Sequence, residues 1–185
     1  MGPERGSGAS SPAGSALAAC LGNPDLLRLF DYYCGKRHGR AMPARRDIDP
    51  LEIGWALDRI YLMDYVPQEG FTYRLAGAEV SKVFERANLK GLNLRDVIKP
   101  GRLALIEGAW MQVVEGPSVV CMTGMVYFGL DRTSVGERLL LPLADETGGP
   151  VTGVLGMTVT RWLTGEVPEE MKLARVEALP VSEIE

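Results

Sequence analysis

Few residues in this chain could do chemistry, and they are scattered. His38 is the single histidine and sits in the basic stretch GKRHGR beside Lys36, Arg37 and Arg40. A Ser/His/Asp or Cys/His nucleophile would need this residue as its base. Cys20 and Cys121 are far from it in sequence, and Cys34, four residues before it, ends the preceding helix, so the simpler reading is a solvated loop histidine. Three cysteines without CxxC spacing indicate neither a disulfide framework nor a zinc knuckle. They fit a reducing cytoplasm, with Cys121 read as a small buried apolar residue inside a strand. Neither a catalytic residue nor a metal ligand set is therefore expected. A second cluster, Arg37, Arg40, Arg45 and Arg46, has the forked donors that grip phosphate or carboxylate. Its competing reading is pairing with Asp47, Asp49 and Glu52 next door. GERLL and GLDRTSVG lack the GxxxxGK[ST] spacing of a phosphate-cradling loop.

The whole chain narrows the classes further. With 20 basic and 24 acidic residues the net charge is -4, which argues against a dedicated nucleic-acid binder, because phosphate neutralisation needs surplus Lys and Arg. At 185 residues and 46% hydrophobic, the chain can bury the core of one domain. No apolar run reaches the ~18 residues of a membrane span. The segment LAAC, ending at Cys20, follows GSGASSPAGSA, which lacks the apolar and basic regions of a secretion signal.

The elements that must position any site follow from punctuation and periodicity. Residues 1–22, mostly Gly, Ser, Ala and Pro, predict a disordered leader. Asn23 and Pro24 open a helix whose stripe Leu26, Leu27, Phe30 and Tyr33 needs a partner, either the domain or a second copy of the chain. Asp49, Pro50 and Glu52 predict a second short helix carrying Leu51, Trp55 and Leu57. Ile60–Val66 reads as a strand covered on both faces, and Phe71, Tyr73 and Leu75 as a strand burying one, joined by the turn PQEG. Val80, Val83 and Phe84, then Leu103, Ile106, Trp110 and Val113, fall at helical spacing. Three more strands are expected over 118–128, 137–144 and 151–161, and the acidic residues 164–185 as a tail or frayed helix. Two strands, then helices, then three strands define an α+β domain with an antiparallel sheet. Pro142 conflicts with this, since a proline is rare in a central strand; a strand end or bulge would accommodate it.

Two stretches carry a family resemblance: GKRHGRAMPARRDIDPLEIGWALDRIYLMDYVPQEGFTYRLAG, with its basic loop, DIDP and YRLAG, and LLLPLADETGGPVTGVLGMTV. Over residues 24–162 the chain resembles a divergent group of bacterial single-domain PAS proteins. The resemblance implies a five-stranded antiparallel sheet with helices packed on one face plus an N-terminal helix, so residues 23–163 form the domain. It also implies a cavity on the concave side of the sheet, surrounded by Tyr73, Val80, Val83, Phe84, Leu103, Ile106 and Trp110, with Met122, Leu139, Leu141 and Met157 as floor. The helix beginning near Arg102 has no histidine for haem, and the reactive-cysteine motif of flavin light sensors is missing, so no cofactor is expected.

The expected function is a non-enzymatic cytoplasmic sensory or interaction module. It would relay a small apolar ligand or a protein signalling partner, with homodimerisation through Leu26, Leu27, Phe30 and Tyr33. Two alternatives belong to other classes. One is a small enzyme of cone-like α+β fold using Asp64 or Glu79 as base in an apolar pocket; the other is an anionic-nucleotide binder using Arg40, Arg45 and Arg46.

Overall fold

Asn23 starts the first helix as its sequence requires: its Oδ1 accepts from the Asp25 N–H at 2.9 Å, and α1 runs Pro24–Gly35. A computed structural model describes residues 17–127, 133–146, 148–163 and 175–184. Residues 1–16 of the expected leader, Asp131 and Arg132 of the expected DRTSVG turn and tail residues 164–174 lie outside the described residues, while the rest of that turn, from Thr133, is strand. After α1 the chain forms β1 (Ile60–Val66), β2 (Gly70–Ala76), α2 (Ala78–Val83), α3 (Leu94–Val97) and α4 (Pro100–Glu115). It continues as β3 (Ser118–Tyr127), β4 (Thr133–Ala144), β5 (Val151–Leu163) and β6 (Arg175–Pro180).

The strands form one antiparallel sheet in the order β2-β1-β5-β4-β3-β6. Five strands and a tail were expected. The sixth strand, RVEALP, comes from that tail and pairs with β3 from Ser118↔Pro180 to Thr123↔Arg175, after which Val181 and Ile184 enter the core. The acidic residues had masked this short strand.

The sheet is covered on both sides, and the side-chain period of two assigns residues to each. On the outer face α1 buries Leu26, Leu29, Phe30 and Tyr33 together with Leu139, Leu141, Leu143, Leu155 and Met157. On the inner face α2, α3 and α4 cover Tyr61, Met63, Tyr73, Val120, Met122, Leu140 and Val154. Leader residues are part of this packing: residues 17–20 are helical and Leu17, Cys20 and Leu21 are buried on the outer side.

Two local expectations are corrected, and the Pro142 conflict is resolved near a strand end and bulge. The second helix reduces to turns and a 3-10 turn at Gly54–Ala56; only Ile53 and Ala56 there are buried, and Leu51 is 90% exposed. Pro142 does lie in an interior strand, but the β3–β4 ladder ends at Val120↔Leu140, so no partner strand on that side requires its missing N–H. Cys121 is not a free apolar residue: it forms a disulfide with Cys20, 101 residues away. That separation hides the pairing from any spacing rule. Cys34 is the free thiol, and burial pushes its pKa up to about 11, which keeps it unreactive. Among the described residues no helix is long and apolar enough to cross a membrane.

The disulfide ties the segment before α1 to β3 and closes a long loop. Reduction, or Cys20→Ser, is expected to lower the unfolding free energy by about 2–4 kcal/mol, most of it through the unfolded chain. Urea unfolding with and without reductant measures this; coincident midpoints would show that the bond carries none of the stability.

Candidate ligand site

Between the inner face and the covering helices lies a cavity of about 10 Å³ lined by Tyr61, Tyr73, Phe84, Leu94, Ile98, Ile106, Trp110, Val126, Tyr127 and Arg138. Aromatic rings form its wall. Centroids are separated by 5.7 Å for Tyr61–Trp110, 6.3 Å for Tyr61–Tyr73, 6.4 Å for Tyr73–Phe84 and 5.7 Å for Phe84–Tyr127, the offset and edge contacts that aromatic pairs favour. Gly156 makes this wall possible. It lies opposite Tyr61 in the β1–β5 register, and a Cβ there would meet the Tyr61 ring at 2.1 Å; the missing side chain is the space the ring occupies.

One charge enters this apolar wall. Arg138 is only 5% exposed and points inward from β4 with the parity of Leu140. Its Nε donates to Thr158 Oγ1 at 3.0 Å, Nη2 donates to the Val126 carbonyl at 2.7 Å, and the guanidinium stands 4.8 Å from the Tyr127 ring centroid. Thr158 Oγ1 also lies 3.4 Å from the Tyr61 hydroxyl. All these partners are neutral groups. Burial by itself pulls the Arg138 pKa down, but the interactions with Tyr61, Tyr127 and Tyr73, including a hydrogen bond to Tyr127, hold the pKa above its ordinary value, so the side chain stays charged. Trp110 also lines this cavity, and its buried Nε1 has no hydrogen-bond partner among the described residues.

The pocket residues named from sequence divide into three groups. Tyr73, Phe84, Ile106 and Trp110 line the cavity. Val80, Val83, Leu103 and Met122 pack in the surrounding inner cluster. Leu139, Leu141 and Met157 face the other way, against α1, because each is one residue out of phase with an inward position. Sequence reasoning missed Tyr61, Leu94, Ile98, Val126, Tyr127 and Arg138. Arg138 had a readable signal, a charge two residues before Leu140 on the same face of a strand.

The other candidate residues are engaged elsewhere. Leu26, Phe30 and Tyr33 are buried within the chain and Leu27 partly so; the Tyr33 hydroxyl donates to the Pro142 carbonyl at 2.9 Å. The stripe expected to bind a second copy thus covers the sheet's own outer face. Arg40 pairs with Asp47, Arg45 with Asp64 at 2.7 Å and Arg46 with Glu146 at 2.6 Å, while Arg37 donates to the Ile184 carbonyl at 2.6 Å. Asp64 also holds Arg74, and neither Asp64 nor Glu79 lines the cavity. His38 is exposed. Cys20, Cys121 and Glu177 bring three ligating groups together, but the two sulfurs are bonded to each other.

Open clefts accompany the cavity among the described residues. One, of about 330 Å³, lies at the start of α1 along Asn23, Gly136, Glu137 and Arg161, where Glu137 Oε2 accepts the Gly22 and Asn23 N–H groups, both at 2.9 Å. Another, of about 390 Å³, is lined by Glu79, Lys82, Val83, Thr160 and Trp162.

A sheet of this order, helices over one face and a cavity between them are the frame of a PAS domain. The sequence profile described as "PAS domain" matches residues 22–159, more than half of the chain, and the chain belongs to that family. Two solved structures are similar. An RNA-binding light-oxygen-voltage receptor gives a TM-score of 0.40 at 18% identity, over 59% of this chain and 31% of that one. The dark structure of the blue-light photoreceptor Aureochrome1 LOV gives 0.39 at 15%, over 66% of this chain and 86% of that one. This chain spans less than a third of the receptor's length. No curated protein matches it.

Gly156→Ala is expected to force the Tyr61 ring out of place, costing about 1–3 kcal/mol as overpacking does and changing the near-ultraviolet circular dichroism. A stability and spectrum equal to wild type would show that the ring is free to move. The wall also sets a pH limit. Burial pushes Tyr61 up to about 12, the nearby Arg138 lowering it only partly, and drives Tyr73 and Tyr33 higher still. Neutral phenols are therefore the folded form, so their stabilisation is complete below the unfolded pKa of about 10 and is lost as pH rises from there through 12. Absorbance at the phenolate band should show these tyrosines ionising together with unfolding. Their full ionisation in a folded chain near pH 10 would contradict the burial.

Proposed function

We propose that this chain is a non-enzymatic PAS sensory module in which occupancy of the inner cavity is relayed to a protein partner through α2. The observation that carries this reading is the position of two adjacent residues. Phe84 lines the cavity, while its neighbour Val83 lines the outer groove with Glu79, Lys82, Thr160 and Trp162. A space of about 10 Å³ holds about one water. Any larger occupant must displace a wall element, and the short α2 with Phe84 at its end has the least packing to resist. The tight fit is then what converts binding into a change of shape. The groove beside the exposed Trp162 reads that change, since its wall is the same helix.

A cone-like enzyme is less well supported, because its candidate acids are placed away from the cavity. An anionic nucleotide at Arg40, Arg45 and Arg46 would first have to displace Asp47, Asp64 and Glu146.

Native mass spectrometry of the full chain purified without refolding should show a non-covalent adduct. Removing the adduct by unfolding and refolding should speed hydrogen exchange across residues 78–86. A chain that carries no adduct in any preparation, with exchange in α2 unchanged by refolding, overturns the reading.

A further inference from the structure

We propose that the inner cavity binds a compact singly charged anion, a halide or the carboxylate of a one- or two-carbon acid, with Arg138 as its counter-charge and the Trp110 indole N–H as its second donor. This deepens the sensory reading and rests on it.

Two independent features of the same cavity lead there. The first is a charge without compensation: Arg138 is buried, and among the described residues no carboxylate pairs with it, its partners being Thr158 Oγ1, the Val126 carbonyl and the Tyr127 ring. Buried charges are almost always paired, and the exposed arginines of this chain that have carboxylate neighbours use them. The second is a donor without an acceptor: Trp110 Nε1 is buried and unpartnered, although buried indole N–H groups ordinarily find a partner. A cation and an orphaned N–H on one small cavity both require an acceptor. A water would satisfy the indole but leave the guanidinium charge uncompensated, whereas a monoanion answers both. Size sets the class: about 10 Å³ excludes di- and tricarboxylates and phosphate esters without wholesale opening. The aromatic wall favours an anion that sheds its water easily over a strongly hydrated dianion.

The test uses the full chain with nitrogen-15-labelled indoles in chloride-free buffer, titrated with sodium chloride, sodium formate or sodium acetate against sodium sulfate at equal ionic strength. The Trp110 Nε1–H resonance is expected to shift and saturate with at least one small anion and not with sulfate, while the Trp55 and Trp162 indoles stay in place. Arg138→Met should abolish saturation. Should that variant fail to fold, Arg138→Lys, which keeps the charge, should retain saturation with altered affinity. Trp110→Phe should reduce at least tenfold the anion affinity read from anion-dependent melting temperature. Saturation by chloride alone identifies a halide site, and by formate or acetate an organic-acid site; both support the proposal. A Trp110 resonance that does not move, or moves linearly and equally with sulfate, overturns it. That failure leaves the adduct and exchange experiment untouched, so the anion class can fall while the sensory reading stands.

Discussion

The two-residue alternation along β4 and β5 is the constraint on which the rest of this molecule depends. The two strands pair from Thr133↔Leu163 to Ala144↔Val151 and are covered on both faces, so register has no freedom. A slip of one residue would exchange Leu139, Leu141 and Leu143 with Arg138 and Leu140, placing a guanidinium under α1 and emptying the inner wall. The same alternation aligns Thr158 with Arg138 and puts Gly156 beneath Tyr61. The cavity is therefore a consequence of strand register first and of helix packing second.

The outer face secures that register. The Tyr33 hydroxyl donates to the Pro142 carbonyl, the Ala144 N–H donates to the Pro43 carbonyl at 2.9 Å, and Glu137 accepts the two N–H groups ahead of α1. Three points along β4 are thus held from one side, while the Cys20–Cys121 bond holds β3. Apolar area removed from water supplies most of the attraction, and these directional contacts select among registers that apolar packing alone would tolerate. On the inner side α4 is long, with 16 residues, and the segment ahead of α3 is tied to β2 through Tyr73 with Gly91 and Leu92, whereas α2 has only six residues. Of the covering elements, the short α2 is the one with the fewest residues to hold it against the sheet besides α3.

Much of this was legible in the residues. The Asn23 cap, the turn at PQEG, the strands from Ile60 to Ala76 and the helix after Pro100 follow from local rules, as does the α+β class. What failed was long-range or depended on parity. Cys20 and Cys121 are brought together only by the sheet, and β6 is a six-residue strand within an acidic tail, so its pairing with β3 could not be read from its surroundings. Leu141 and Met157 were placed in the pocket because they are apolar, yet a strand assigns faces by position, not by hydrophobicity. Applied to ERLLLPL, the same rule would have turned Leu141 outward and Arg138 inward. The resemblance to PAS proteins gave the frame but not the occupant, because its motifs include neither Trp110 nor Arg138.

Arg138 is hard to explain as a structural residue. Removing a charge of this size from water leaves a penalty of several kcal/mol. Its hydrogen bonds return about 1.5–3 kcal/mol each and the ring contact about 2 kcal/mol, so the neutral partners bring it near balance without a surplus. The cross-strand neighbour Met122 shows that this face accommodates a long unbranched apolar side chain, and buried ion systems exchanged for such residues usually lose nothing in stability. The charge becomes useful once something enters that lacks a positive partner, when the desolvation penalty already met by folding need not be met again by binding. In the arrangement we propose, folding prepares the site, and an aromatic wall filled to within about one water leaves an entering group no room unless a wall residue such as Phe84 shifts.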